Sequence, residues 1–256
     1  MRLLVVADLH YALPQYDWLV DVAGRFDMVI VAGDHLDTSS LVDLRAQSIV
    51  IQKYIDRLRQ KAIVLVCSGN HDLDSRNESG EKITRWILQP QAKGVLSDGD
   101  SFVRDDMLFT ICPWWDGPIV RDAIARQLAE ASARRLSRWI WVHHAPPRTT
   151  PISWDGKRFH GDTELEQWIG DYSPDFVFSG HVHQAPFAAG GSWVDRIGST
   201  WVFNAGRQFG APPSCVVVDT ESRQAFWLSA AGNETVALDQ PLIRPVPKLT
   251  GLPDWL

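Results

Sequence analysis

Five short apolar runs in this chain each end abruptly in Asp, Asn or His. LLVVA (3–7) ends at Asp8 and His10, and DMVIVAG (27–33) at Asp34 and Asp37. AIVLVCSG (62–69) ends at Asn70, His71 and Asp72. WIWV (139–142) ends at His143 and His144, and FVFSG (176–180) at His181 and His183. Runs of this length, apolar at consecutive positions, suit strands buried on both faces rather than strands with one wet face. Segments of helical spacing separate the first three. One covers 14–25, with Pro14 at a favoured first-turn position; another covers 39–60, with a serine as candidate cap. The order βαβαβ predicts a parallel sheet covered by helices. Ligand sites in such sheets lie just beyond the carboxyl ends of the strands. All five polar clusters are expected along that edge.

The second half reads differently. The pattern predicts a helix over 80–91, a hairpin over 101–113 turning at Arg104-Asp105-Asp106, and a helix over 118–136. A helix over 162–172 has Asp162 or Thr163 as its cap. Short strands are expected over 192–198, 200–206, 214–220 and 223–230, the last two joined at Glu221-Ser222. The tail, 239–256, carries four prolines and is expected to be irregular chain packed on the rest. No repeat or linker divides the chain, so 1–238 reads as one domain with that tail against it.

Charge and cysteine content narrow the partners. A net charge of -6 supplies no overall basic field for nucleic acid, which makes a nucleic acid the second expectation, behind a small molecule. Cys67, Cys112 and Cys215 lie far apart, with no CxxC, so neither a disulfide framework nor a thiolate zinc site is expected. The N-terminal run reaches Asp8 too soon for a signal peptide, and no uncharged run nears the ~20 residues of a membrane helix. A cytoplasmic protein without membrane contact is the resulting expectation; the oligomeric state is not legible.

The donors themselves say more. Along extended chain, residues i and i+2 point to one side, so Asp8/His10 and His181/His183 each converge on one spot. With Asp34, Asn70 and one of His143 and His144, seven oxygen and nitrogen donors are available. That exceeds one ordinary site and suits two cations ~3.5–4 Å apart sharing a carboxylate. Without thiolate, the set suits Mn first, with Fe, Zn, Ni or Co as alternatives.

Asp8-Leu9-His10, Gly33-Asp34-His35-Leu36-Asp37, Gly69-Asn70-His71-Asp72, His143-His144 and Gly180-His181-Val182-His183 resemble the five blocks of the calcineurin-like metallophosphoesterases, in the family order DxH, GDxxD, GNHD, H and GHxH. The resemblance implies a four-layer αββα sandwich of two mixed β-sheets flanked by helices. It implies hydrolysis of phosphodiester or phosphomonoester bonds by a hydroxide bridging two metals. Asp8, His10 and His183 would hold one ion; Asn70, His143 and His181 the other; Asp34 would bridge them. His143 is preferred because it directly ends WIWV, which turns His144 behind it or towards the substrate. His71 would face the phosphoryl group or the leaving oxygen, and Asp37 would accept a hydrogen bond from His71 and orient it. GDHLDTS and GNHD differ from the GDxVDRG and GNHE of the protein serine/threonine phosphatases, which counts against that substrate class. FNAGR (203–207) stands where the family often has Asn-Pro-Gly.

The loops between blocks should shape the substrate pocket, with Arg148, Arg207, Trp114 and Trp115 among their residues. The competing readings are a metal-dependent nuclease and a non-catalytic scaffold of the same fold. A scaffold should have eroded donors, whereas every donor type survives here.

Overall fold

The computed structural model describes residues 1–89 and 94–253. Two six-stranded sheets dominate them. The first contains β1 (Arg2–Val6), β2 (Met28–Ala32) and β3 (Ile63–Cys67), all parallel. It is extended by an antiparallel meander of β12 (Cys215–Asp219), β13 (Gln224–Ser229) and β14 (Gly232–Ala237), with β12 against β1. In the second sheet β7 (Met107–Ile111), β8 (Arg138–Val142), β9 (Phe176–Ser179) and β11 (Thr200–Asn204) run parallel. Antiparallel β6 (Ser101–Arg104) and β10 (Val194–Ile197) form its edges. A small ribbon pairs β4 (Ser75–Arg76) with β5 (Lys82–Ile83).

Side-chain alternation explains why the strands are apolar throughout. Leu3, Val5, Ile30 and Leu65 point inward and meet Phe109, Ile140, Phe178 and Phe203 of the second sheet. Leu4, Val6 and Val29 point outward beneath α1 (Leu13–Val22) and α2 (Leu44–Leu58), against Leu19, Ile51 and Ile55. On the other side Trp139, Trp141 and Val177 pack under α3 (Pro118–Ser132) and α4 (Thr163–Tyr172), against Ile124, Leu128, Leu165 and Ile169. The result is the four-layer αββα sandwich with two mixed sheets. Much of the tryptophan content is structural: Trp139, Trp141 and Trp193 are fully buried.

Three expectations need correction. Helix α2 starts at Leu44 rather than near Ser39, because Asp43 caps it by accepting from the Arg45 N–H (2.9 Å). Gln47 then braces the preceding loop, accepting from the Asp37 N–H (2.8 Å) and donating to the Asp37 carbonyl (2.9 Å). The expected helix over 80–91 is instead strand β5 followed by a 3₁₀ turn at Trp86–Leu88; residues 90 and 91 lie outside the described residues. Side chains there intercept the backbone donors a helix would use: Asp116 accepts from the Lys82 N–H (3.0 Å) and Asp74 from the Arg85 N–H (2.7 Å). Strand β14 has no counterpart among the expected strands; it is a polar edge strand without apolar alternation.

Segment 244–247 touches both sheets. Thr235 N–H donates to Pro247 O (2.9 Å), and Arg244 Nη2 reaches Asp195 Oδ1 (2.8 Å). Among the described residues no helix is long and apolar enough to cross a membrane.

Candidate metal centre

Beyond the carboxyl ends of β1, β2, β3, β8 and β9 the chain turns sharply. Asp8, His10, Asp34 and His181 all take the left-handed backbone conformation (φ 56, 42, 53 and 69°), which costs a non-glycine residue and concentrates at functional sites. Close approach excludes side chains beside them. A Cβ on Gly69 would lie 2.2 Å from Asp34 Oδ1, and one on Gly180 would lie 2.5 Å from Asp8 Oδ2.

These turns aim the donors at one another. One ligand atom from each of Asp8, His10, Asp34 and His183 falls within 4.8 Å of the others, and so do those of Asp34, His144 and His181. Asp34 belongs to both groups. His183 Nε2 lies 3.2 Å from Asp8 Oδ1 and 3.1 Å from His10 Nε2. Asn70 Oδ1 lies 3.0 Å from His181 Nδ1 and so joins the second group. Asp8, His10, Asp34, Asn70, His181 and His183 are therefore brought together as expected.

His143 is not brought to the cluster; His144 is. His144 Nε2 stands 3.2 Å from Asp34 Oδ2, while Nδ1 donates to the Ala32 carbonyl (2.7 Å). That bond fixes the ring and leaves Nε2 for a cation, the arrangement in which imidazoles bind metals. His143 faces away, with Nε2 3.5 Å from Asp162 Oδ2 at the start of α4. The cause is strand parity. Ile140 and Val142 face the other sheet and Trp139 and Trp141 face the helices, so His144 continues the inward row and His143 the outward one. The alternation was readable in the sequence once the site was known to lie between two sheets.

Asp37 also plays a different part. Its carboxylate accepts from the Ser39 N–H (2.8 Å), in the turn leading to α2. His71 Nδ1 pairs instead with Thr38 Oγ1 (2.8 Å), and the His71 ring stands edge-on to His10 at 4.6 Å. The His71 N–H donates to Asp34 Oδ1 (2.9 Å), which holds the shared carboxylate from behind. Thr38 carried no signal in the sequence, being one hydroxyl in a Thr-Ser-Ser run. Asp72 is buried and accepts from the N–H groups of Gly69 (2.8 Å), His35 (3.0 Å) and Leu36 (3.0 Å), locking the second and third blocks together. His35 is structural: Nε2 pairs with Cys67 O (3.1 Å) and Nδ1 with the Tyr16 hydroxyl (3.0 Å). In the FNAGR turn, Gly206 has φ 69° and its N–H donates to Asn204 Oδ1 (2.8 Å). The Arg207 N–H donates to His183 O (3.1 Å), and its guanidinium lies over Phe209.

The electrostatics follow from burying acids and imidazoles together. Burial pushes the Asp34 carboxyl up, but His144, the His71 N–H and His10 bring it below its ordinary value. Asp8 is likewise raised by burial and brought lower by His183 and His144. Burial takes the His10 and His181 imidazoles down to about 4 against the pull of Asp34 and Asp8. For His144 burial is outweighed by Asp34 and Asp8, and its pKa rises to about 9. Burial, with Asp34 nearby, lifts Asp72 to about 8 despite its three N–H donors.

The donors fit a pair of divalent cations. Asp8 and Asp34 are buried carboxylates faced by imidazoles, and the buried His144 Nε2 makes no hydrogen bond. All donors are oxygen or nitrogen, and the three cysteines are buried and free elsewhere.

Known structures share the fold. The chain resembles TT1561 of Thermus thermophilus at 13% identity and TM-score 0.58, covering 93% of this chain and 98% of that one. It resembles a dimetal phosphatase from Danio rerio at 13% identity and TM-score 0.57, covering 93% and 99%. The purple acid phosphatase PPD1 from yellow lupin gives 13% identity and TM-score 0.57, covering 93% of this chain and 51% of that one. At such identities the likeness is one of fold. No curated protein matches the sequence. The family model for calcineurin-like phosphoesterases, however, matches residues 1–185, a span that holds all five strand-end clusters. The chain belongs to the calcineurin-like phosphoesterase family.

Proposed function

We propose that the protein is a binuclear metal-dependent phosphoesterase, acting on phosphodiesters in preference to phosphomonoesters. The observation that carries this reading is the sharing of Asp34 between two adjoining donor groups. Asp8, His10 and His183 would hold one cation, Asn70, His144 and His181 the second, and Asp34 would contact both. Bound there, manganese or another first-row divalent ion supplies Lewis acidity towards a phosphoryl oxygen and a water of lowered pKa.

The chain's own residues supply orientation and proton handling. Asp34 is held by the His71 N–H, and His144 by Ala32 O, so neither donor reorganises when an ester arrives. Thr38 fixes Nδ1 of His71, which leaves Nε2 to bond a phosphoryl oxygen or pass a proton to the leaving oxygen. Nothing in the acidic net charge favours a nucleic-acid polymer over a small ester.

The test is hydrolysis of bis-p-nitrophenyl phosphate by protein supplemented with Mn²⁺. Turnover is expected, and Asp34→Ala is expected to abolish it. Unchanged turnover in that variant refutes the assignment.

A further inference from the structure

A cavity of about 340 Å³ adjoins the donor cluster at His181. Trp114 and Trp115 form one side of it, and the first turn of α4, with Asp162, Thr163 and Glu164, forms another. Both indoles are only half-buried, unlike the fully buried Trp139 and Trp141. Hydrogen bonds hold the Trp114 backbone and the Trp115 indole. The Trp114 backbone N–H donates to Ser68 Oγ (2.9 Å), and the indole ring packs 5.2 Å from the ring of His181 and 5.7 Å from that of His144. Trp115 Nε1 donates to Asp162 Oδ2 (2.8 Å). Asp116 holds the same loop to the β4–β5 ribbon through Lys82 N–H (3.0 Å). An ester bound at the cluster would therefore find a rigid, flat, apolar surface within a few ångströms.

The polar groups of the cavity narrow what fits. The Asp162 oxygens are occupied by Trp115 Nε1 and the Leu165 N–H. The half-buried Glu164 carboxylate also lines the cavity and can accept from N–H groups. Among the described residues no Lys or Arg lines the cavity itself; Arg148 stands at the rim, reaching Thr163 Oγ1 (3.4 Å). Besides the His160 imidazole, which is engaged by Asp155 Oδ2 (2.7 Å), the walls offer π-faces and a carboxylate. A planar ring bearing N–H donors meets both. A cavity of this size takes one such ring with its sugar rather than a strand.

We infer that this cavity is a base-binding subsite and that the substrate is a nucleoside phosphoester, its base stacked on Trp114 and its ring N–H or amino group donated to Glu164. The inference rests on the phosphoesterase reading above for its catalytic half only.

Two measurements test it on the full chain loaded with Mn²⁺. Calorimetry compares AMP with ribose 5-phosphate, which carry the same phosphate and differ in the base. Phosphorus NMR follows hydrolysis of their methyl esters. Base stacking on an aromatic side chain corresponds to a preference of roughly 5- to 150-fold. AMP and its ester are expected to be favoured by at least about fivefold at this lower bound. Trp114→Ala is expected to bring both ratios within about twofold of one, and Trp114→Phe to retain most of the preference. Equal affinity for AMP and ribose 5-phosphate overturns the inference, whatever the turnover. So does tighter binding of phosphocholine than of AMP, which would make the cavity an ammonium site. Preferential AMP binding without hydrolysis of either ester would refute the catalytic reading and leave the base site standing.

Discussion

Replacing His144 and His143 separately by alanine puts the parity argument to a quantitative test. His144 Nε2 is 3.2 Å from Asp34, and its other nitrogen is bound to Ala32 O. His144→Ala removes one donor of the second group outright. Loss of a group that merely supports a ligand costs about 10–100-fold in metal affinity, so loss of the ligand should cost about 100-fold or more at that site. The expected stoichiometry by plasma mass spectrometry falls from two ions towards one. His143 lies 3.5 Å from Asp162 on the helix side of β8, and its replacement should leave two ions bound with an affinity loss below about tenfold. Both rings are fully buried, so folding must be followed in parallel. For His144, the Ala32 hydrogen bond contributes about 1 kcal/mol and the ring's packing about 1–2 kcal/mol. The sum of about 2–3 kcal/mol lowers Tm by about 4–12 °C in a domain of this size, so titrations near 20 °C keep the variant folded. If His143→Ala loses an ion while His144→Ala keeps both, the assignment from strand alternation is wrong.

Three further outcomes are expected. The pKa of His144 is about 9 without metal, so uptake of a cation must displace a proton below that pH. Affinity should therefore rise by about tenfold per pH unit from pH 6 to 8 and level off near 9; calorimetry in two buffers of different ionisation enthalpy would count the proton, and a pH-independent affinity would contradict the burial of His144 against Asp34. Thr38→Ala should lower kcat about 2–10-fold with little change in KM, because His71 loses its orienting partner, whereas Asp37→Asn should alter mainly the stability of the turn before α2; the reverse ranking would restore Asp37 to the site. Asp72→Ala leaves three buried N–H groups without an acceptor and should cost about 3 kcal/mol in urea unfolding, where a loss below about 1 kcal/mol would show that water or a shifted loop replaces the carboxylate.

The architecture was legible because burial on both faces leaves a strong mark. An apolar run that stops at Asp8 or His181 announces both a strand and the edge where it ends. Six of the seven donors, all but the choice between His143 and His144, could be named from those stops alone. What stayed hidden depends on contacts across the fold. Which of two adjacent histidines turns inward follows from a second sheet that no local spacing reveals. Thr38 rather than Asp37 reaches His71 because Ser39 N–H claims the carboxylate first. The segment after Gly80 looks helical by the spacing of Ile83, Trp86 and Ile87, yet Asp74 and Asp116 take its backbone donors from elsewhere in the chain. Strand β14 lacks an apolar rhythm and exists because β13 offers it a free edge.

Asp8, Asp34 and Asn70 come from one sheet, and His144, His181 and His183 from the other. A cation seated among them would act as a rivet through two plates, fastening them at one rim only. Loading the ions should then quieten amide exchange at the carboxyl tips of β2, β3, β8 and β9 while the opposite rim, around Arg138 and Thr220, exchanges as before. Chelation would loosen the joint without dismantling the plates, which share a buried apolar core, so the chemistry would be lost while the fold persists.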